Sequence, residues 1–407
     1  MKNGISPALF PELVSKGGKE GILPWQEVKR MVSVGQISAN PEPLDSQIQP
    51  ASIDLRLGSV AYRTRASFLR GRSATFLTRV QELTEATIDL TEDSPALLDP
   101  GIVYIIPLIE CLNLPTDVQG VANPKSTTGR LDIFTRLITE HGDSFDRVPK
   151  GYKGALFAEV SPRSFPIRVR RGMRLNQLRF VRGNATQPIT NGDLKQIAES
   201  ENLVYDSNGN PVKAGIADGI EITADLEGGV VAYRAKNEAP RVVELDRYDY
   251  YEPEDYWEPI KPRHGHITLA KGAFYLLASK RLFSVPLDYA AEMVAHDPSM
   301  GEFRVHYAGF FDPGFGYGMK KGDILGTKAV LEVRAYEVDI VLEDNHVIGR
   351  LHYYKMAERP EKIYGEAGLS SSYQKQGLAL SKQFKRPDVA LRNTVLDQSP
   401  VTVLSNP

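Results

Sequence analysis

Cysteine is almost missing: Cys111 is the only one in 407 residues. One thiol cannot form an internal disulfide framework, nor can it supply the Cys-rich ligand sets that hold zinc. Long apolar runs are missing too. The opening Met-Lys-Asn-Gly-Ile-Ser-Pro has no extended apolar core of the signal-peptide kind, and no stretch approaches a membrane span. The cytoplasm is therefore the expected compartment, with no membrane partner. Neither sign of charge is in excess: 49 Lys and Arg face 51 Asp and Glu, for a net charge of −2 and a pI near 6.4. No global basic field draws such a chain to nucleic acid, so any anion must be held by a local group of Lys, Arg and backbone N–H. Recurring long amphipathic helices are absent as well, which argues against alternating βαβ units.

What is present is a soluble globular composition, 42% hydrophobic and 25% charged, on a chain long enough for two domains. It also repeats itself. D-L-R-L-G-S-V-A-Y-R from Asp54 and D-L-E-G-G-V-V-A-Y-R from Asp225 lie 171 residues apart (225 minus 54). The same offset carries Gly101 onto Gly272, Tyr104 onto Tyr275, Pro115 onto Pro286 and Asp117 onto Asp288. A gap-free offset over this span points to duplication. We place the seam near residue 200, giving domains of 1–200 and 201–407. The Asp-Ser-Asn-Gly-Asn-Pro run there is turn chemistry that suits a linker or a hairpin tip.

Pro24-Trp-Gln-Glu-Val-Lys-Arg-Met-Val has helical spacing, with Val28, Met31 and Val32 on one side and Gly35 as the stop. Elsewhere short apolar runs such as I-V-Y-I-I, G-A-L-F-A-E-V, F-Y-L-L-A and A-V-L-E-V are separated by Gly, Pro, Asn and Asp. The expected fold is mainly β, a β-sandwich or jelly roll in each copy with a few short helices.

Four segments in order carry a family resemblance. Residues 24–58 run from the short helix through G-Q-I-S-A-N-P into I-Q-P-A-S-I-D-L-R-L-G. K-S-T-T-G-R spans Lys125 to Arg130, G-Y-K-G-A-L-F-A-E spans Gly151 to Glu159, and I-Y-G-E-A-G-L-S-S-S-Y-Q-K-Q-G spans Ile363 to Gly377. Together they resemble the dCTP deaminase/dUTPase family in its tandem form. The resemblance implies two dUTPase-like domains, deamination of dCTP to dUTP without zinc, Mg2+ carried on the triphosphate, and a homotrimer of two-repeat chains. It also implies roles for residues. Glu159 becomes the carboxylate that takes a proton from water and returns one to ammonia, and Arg130 its neighbouring cation. Ser126, Lys125 and Thr127 become phosphate ligands, and Tyr364 and Gln376 contacts from a C-terminal arm that folds over nucleotide. His141 stands where the family also has a histidine, with a structural role as good a reading as a catalytic one. His264 and His266 read as loop residues.

The pattern is split between the copies. Copy one has F-D-R-V-P-K-G-Y in place of the family's Asp-Pro-Gly-aromatic turn, whereas copy two keeps F-D-P-G-F with Asp312, followed by Glu332 on an apolar strand. Copy two in turn has H-D-P-S-M-G-E where the Ser and Arg motif should stand. Two arrangements follow: one active copy using Ser126, Arg130 and Glu159, or a composite site to which Glu332 and Asp312 contribute. The first is preferred, because only copy one holds every catalytic residue type. Two other functions stay open. One is dUTP hydrolysis, with Asp146 or Asp312 invoked at the phosphate, and the other is nucleotide binding without chemistry.

Overall fold

The computed structural model describes residues 18–69, 75–91, 93, 95–295, 303–305, 309–369 and 373–386. Each half is a sandwich of two antiparallel sheets, and the halves share nine strands in the same order. In the first half these are β1 (Ser52–Arg56), β2 (Val60–Thr64), β3 (Thr84–Asp89), β4 (Val103–Asn113), β5 (Val118–Pro124), β6 (Ile133–Thr139), β7 (Arg147–Val148), β8 (Lys153–Pro162) and β9 (Arg174–Arg182). In the second they are β10 (Ile220–Thr223), β11 (Ala232–Ala235), β12 (Trp257–Ile260), β13 (Phe274–Phe283), β14 (Tyr289–Ala295), β15 (Phe303–Val305), β16 (Phe310–Phe311), β17 (Thr327–Ala335) and β18 (Val347–Lys355).

The first half has sheets ordered β6-β8-β4-β2-β3 and β7-β5-β9-β1; the second has β15-β17-β13-β11-β12 and β16-β14-β18-β10. Every strand maps onto the one nine places later, so the duplication seen in sequence is a duplication of topology.

The Trp25–Ser33 helix forms as its spacing predicts, burying Trp25, Val28 and Met31, and the chain leaves it through Gly35 at a φ of 73°. Its counterpart is the Asn191–Glu201 helix, capped by the Thr190 hydroxyl, which accepts the Asp193 N–H at 3.2 Å. The second repeat therefore opens upstream of this helix, not at residue 200. The Asp-Ser-Asn-Gly-Asn-Pro run is a hairpin tip: Tyr205 bridges to Pro211, and the Asp206 carboxylate accepts the N–H groups of Asn208 and Asn210. Turn chemistry alone does not distinguish a linker from a hairpin within a domain.

How the outer faces are covered differs between the halves, and this positions the site. In the first half, outward residues Ile105, Ile138 and Phe157 lie under the chain's own Phe76–Leu83 helix, through Phe76 and Val80. In the second half, Leu276 and Val330 in the matching places, with Phe274 on the same face, have no such helix over them. They join the first half's core. Trp257 and Tyr256 add to this junction, meeting Phe165 edge-on at 5.3 and 5.6 Å between centroids. Ion pairs also cross it, among them Arg179 with Asp312 at 3.2 Å, Arg170 with Asp246 at 3.1 Å, and Arg334 with Asp132. The C-terminal arm closes the assembly, with Leu380 and Phe384 in the same core and Phe384 edge-on to Trp257 at 5.9 Å.

Candidate active site

One cavity lies at this junction, and three separate stretches of sequence build it. The first half supplies Lys125, Ser126, Thr127 and Arg130, the second Asp312 and Glu332, and the arm Tyr364 and Gln376. All eight were picked out by sequence. Lys125 precedes a single helical turn, Ser126–Gly129, whose leading N–H groups have no acceptor within so short a turn. Arg130 follows at its end, 3% exposed, donating from Nη1 to the Ala379 carbonyl at 2.8 Å. Its guanidinium also lies over the Tyr373 ring, 3.7 Å from the centroid. Its Nε is buried with no partner.

Glu332 sits on β17, 4% exposed. Burial pushes its carboxyl up to about 8, while the nearby Arg130 pulls the other way. Asp312 opens the Asp-Pro-Gly turn, and burial raises its carboxyl against the opposing pull of Arg179. Gly314, at a φ of 94°, lets the arm lie against this turn. A Cβ there would stand 3.0 Å from that of Ile363, and the Tyr364 N–H donates to the Pro313 carbonyl at 2.9 Å. Gln376 is anchored by donating to the Lys328 carbonyl at 3.0 Å, which leaves its buried Oε1 without a partner.

Glu159 is not in this cavity, so the preferred one-copy arrangement of Ser126, Arg130 and Glu159 is not what the chain forms. The reason is geometric. The Ser126–Gly129 turn follows β5 in one sheet, whereas Glu159 points outward from β8 in the other, so the sandwich, roughly 10 Å thick, lies between. Glu159 stands across from Arg136 and Ile105, and Glu332 across from Leu276. Since 276 minus 105 is the repeat offset of 171, the two glutamates occupy equivalent places. Only the one in the second half meets a Ser and Arg motif. Glu159 instead lies near Arg136 and hydrogen-bonds Ser67, and burial raises its carboxyl. Asp146, whose carboxyl burial pushes up to about 7, is its neighbour, accepting the Leu137 N–H at 2.7 Å.

His141 is exposed on a turn, His264 lies within a hairpin turn and His266 closes it opposite Arg263; none lines the cavity. Several residues that line or brace the site were missed. Asp54 is fully buried and ion-paired with Lys125, with one carboxylate oxygen unpaired. Its signal was available, since Asp54 and Asp225 begin the repeated segment and each pairs with a lysine. Tyr373 and Lys382 had no signal beyond their place in the arm. The H-D-P-S-M-G-E segment, residues 296–302, lies outside the described residues.

Comparison with known proteins agrees with this two-part architecture. The family model for the 2′-deoxycytidine 5′-triphosphate deaminase N-terminal domain matches residues 19–184, and that for its C-terminal domain matches residues 190–384. A dCTP deaminase of Shewanella amazonensis is 27% identical over 162 residues, 38% of this chain and 80% of that protein. A dUMP-forming dCTP deaminase of Dictyoglomus thermophilum is 30% identical over 165 residues, 40% of this chain and 80% of its own length. The crystal structure of 2′-deoxycytidine 5′-triphosphate deaminase from Agrobacterium tumefaciens superposes with a TM-score of 0.76 at 42% identity, covering 83% of this chain and 99% of that one.

Proposed function

Because the chain belongs to the 2′-deoxycytidine 5′-triphosphate deaminase family, we propose that it replaces the C4 amino group of dCTP with oxygen from water, and that Glu332 moves the protons. The observation that carries this reading is the convergence of Glu332, Arg130, Ser126 and the arm on one cavity. A carboxyl held up to about 8 is protonated at neutral pH, so it enters the reaction as an acid. It gives its proton to cytosine N3, which makes C4 more electrophilic. The carboxylate left behind takes a proton from water as the hydroxyl oxygen bonds to C4. That proton passes to the amino group, the C4–N bond breaks, and ammonia leaves. The new C4 hydroxyl then returns its proton to Glu332, giving dUTP and restoring the acid. Acid–base help of this kind is typically worth about 10²–10⁴-fold.

Arg130 favours the transient carboxylate. Ser126, Lys125 and Thr127 hold phosphate oxygens by charge-assisted and hydroxyl hydrogen bonds, and Tyr364 and Gln376 close over the nucleotide. Mg2+ enters as part of the substrate, on the triphosphate. The residues present suit such a complex: Asp54 lines the cavity with a buried, unpaired carboxylate oxygen that can accept from water carried by the ion.

The test is ammonia release from dCTP with Mg2+, with pyrophosphate assayed separately to detect conversion to dUMP. Glu332→Gln is expected to lose about 10²–10⁴-fold in kcat while still binding dCTP, and Glu159→Gln to keep the wild-type rate. The reverse pattern would sink the assignment to Glu332.

A further inference from the structure

The C-terminal arm is fixed at both ends. At its start, Gln26 of the Trp25–Ser33 helix accepts the Glu361 N–H at 3.0 Å and donates to the Arg359 carbonyl at 2.8 Å and the Glu358 carboxylate at 2.9 Å. At its end, the Ser381 hydroxyl donates to the Thr127 carbonyl at 2.9 Å, Gln383 donates to the Leu245 carbonyl at 2.8 Å, and Phe384 is buried in the core. Tyr364, Tyr373 and Gln376 reach the cavity from the span between these anchors. Where they stand therefore depends on what holds the middle of the arm.

Gln374 lies in that span and does not line the cavity, yet both ends of its carboxamide are engaged. Oε1 accepts the Gly316 N–H at 2.9 Å, and Nε2 donates to the Gly314 carbonyl at 2.9 Å. A carboxamide carries donor and acceptor side by side, so it can pair with a carbonyl and an N–H of one turn together. These two backbone groups flank Phe315, which lines the cavity and meets the Tyr364 ring at 5.5 Å between centroids. The next two residues extend the contact. The Lys375 N–H donates to the Thr327 hydroxyl at 3.3 Å, and Gln376 donates to the Lys328 carbonyl at 3.0 Å. Thr327 and Lys328 open β17, the strand of Glu332.

Each of these partners is a group of the protein itself, so the contact does not require nucleotide in order to form. We propose that Gln374 is a positioning residue that latches the middle of the arm to the Asp-Pro-Gly turn, setting Tyr373 against Arg130 and Gln376 at the cavity before substrate arrives. The proposal rests on the deaminase reading above. A lid already in place spares substrate binding the free energy of closing it, and apparent affinity scales with the closed fraction. Two hydrogen bonds between uncharged groups change the ratio of closed to open arm by about tenfold or more. Bound nucleotide adds its own contacts to Tyr364 and Gln376, so the filled site is closed with or without the latch.

The experiment separates KM from kcat in the full-length protein. Gln374→Ala is expected to raise KM for dCTP about three- to tenfold and to leave kcat unchanged. Gln374→Glu keeps the size and the acceptor but turns a carboxylate oxygen toward the Gly314 carbonyl, and is expected to raise KM at least as much at neutral pH. A fall in kcat with KM unchanged would overturn the proposal, as would a Gln374→Glu enzyme that behaves as the wild type, since size alone would then suffice. Amide hydrogen exchange without nucleotide gives a readout that does not depend on turnover. Gly316 and residues 373–378 are expected to exchange faster in Gln374→Ala, with the strands of both halves unchanged, and equal exchange in the two proteins would overturn the latch. If the wild type releases no ammonia from dCTP, the deaminase reading fails, and hydrogen exchange decides the latch by itself.

Discussion

Glu332 and Arg130 are neighbours in space that come from opposite halves of the chain. Their coupling gives a pH dependence of definite sign. Since the cycle begins from the protonated carboxyl, kcat/KM is expected to fall as pH rises past its ionisation, near 8 in the free protein. Arg130 lowers that ionisation. In Arg130→Met the carboxyl holds its proton to higher pH, so the alkaline limb should move upward even as the maximal rate drops. A pH–rate series on the two proteins checks this, and a limb that stays in place or moves down would mean that another group governs it. Asp146 and Glu159 share the raised ionisation, but Glu159 lies on the sheet face that the chain's own Phe76–Leu83 helix covers, in place of a phosphate motif. Perturbed carboxyls mark both positions, and only their surroundings tell them apart.

Between elements, the pair that holds β9 of the first half to the Asp-Pro-Gly turn of the second stands out. Arg179 is 2% exposed and reaches Asp312 at 3.2 Å and the Ala291 carbonyl at 3.2 Å, with its guanidinium over the Phe310 ring. Removing one partner of a buried ion pair leaves the other charge uncompensated, at a cost of about 3–5 kcal/mol. Arg179→Met is expected to lose stability of that order in urea unfolding, with part of it recovered in the Arg179→Met/Asp312→Asn double variant. No recovery would mean that Arg179 acts through packing, not through Asp312. This pairing could not be read from sequence, because nothing local to Arg179 indicates a partner 133 residues away. The strands themselves were legible, since alternation and turn residues are local. The position of the seam was not, because a linker and a hairpin tip use the same Asp, Asn and Gly chemistry.

For the molecule as a whole, the consequence of the duplication is that residues of both halves and of the arm of one chain line the same cavity. Dilution through any subunit dissociation should leave the activity per chain unchanged, and calorimetric titration should give one nucleotide per chain, since the place equivalent to Glu332 in the first half is covered by its own helix. Two nucleotides per chain, or activity lost on dilution, would show that neighbouring chains contribute. Among the described residues no helix is long and apolar enough to cross a membrane.

The mainly β architecture, the doubling and the residue types of the site were all readable from the chain, because strand periodicity, turn chemistry and a fixed repeat offset are written in short-range order. Sequence also narrowed the proton carrier to two glutamates. The proposal in favour of Glu332 rests on the folded molecule, in which it lines the cavity with Ser126 and Arg130. Their local contexts are alike, each an acidic residue on an apolar strand, and they differ only in what covers the outward face of the sheet. In one half a helix of the same domain lies there, and in the other the Ser and Arg motif of the opposite half does. That difference is a matter of packing between distant segments, which local order along a chain does not encode.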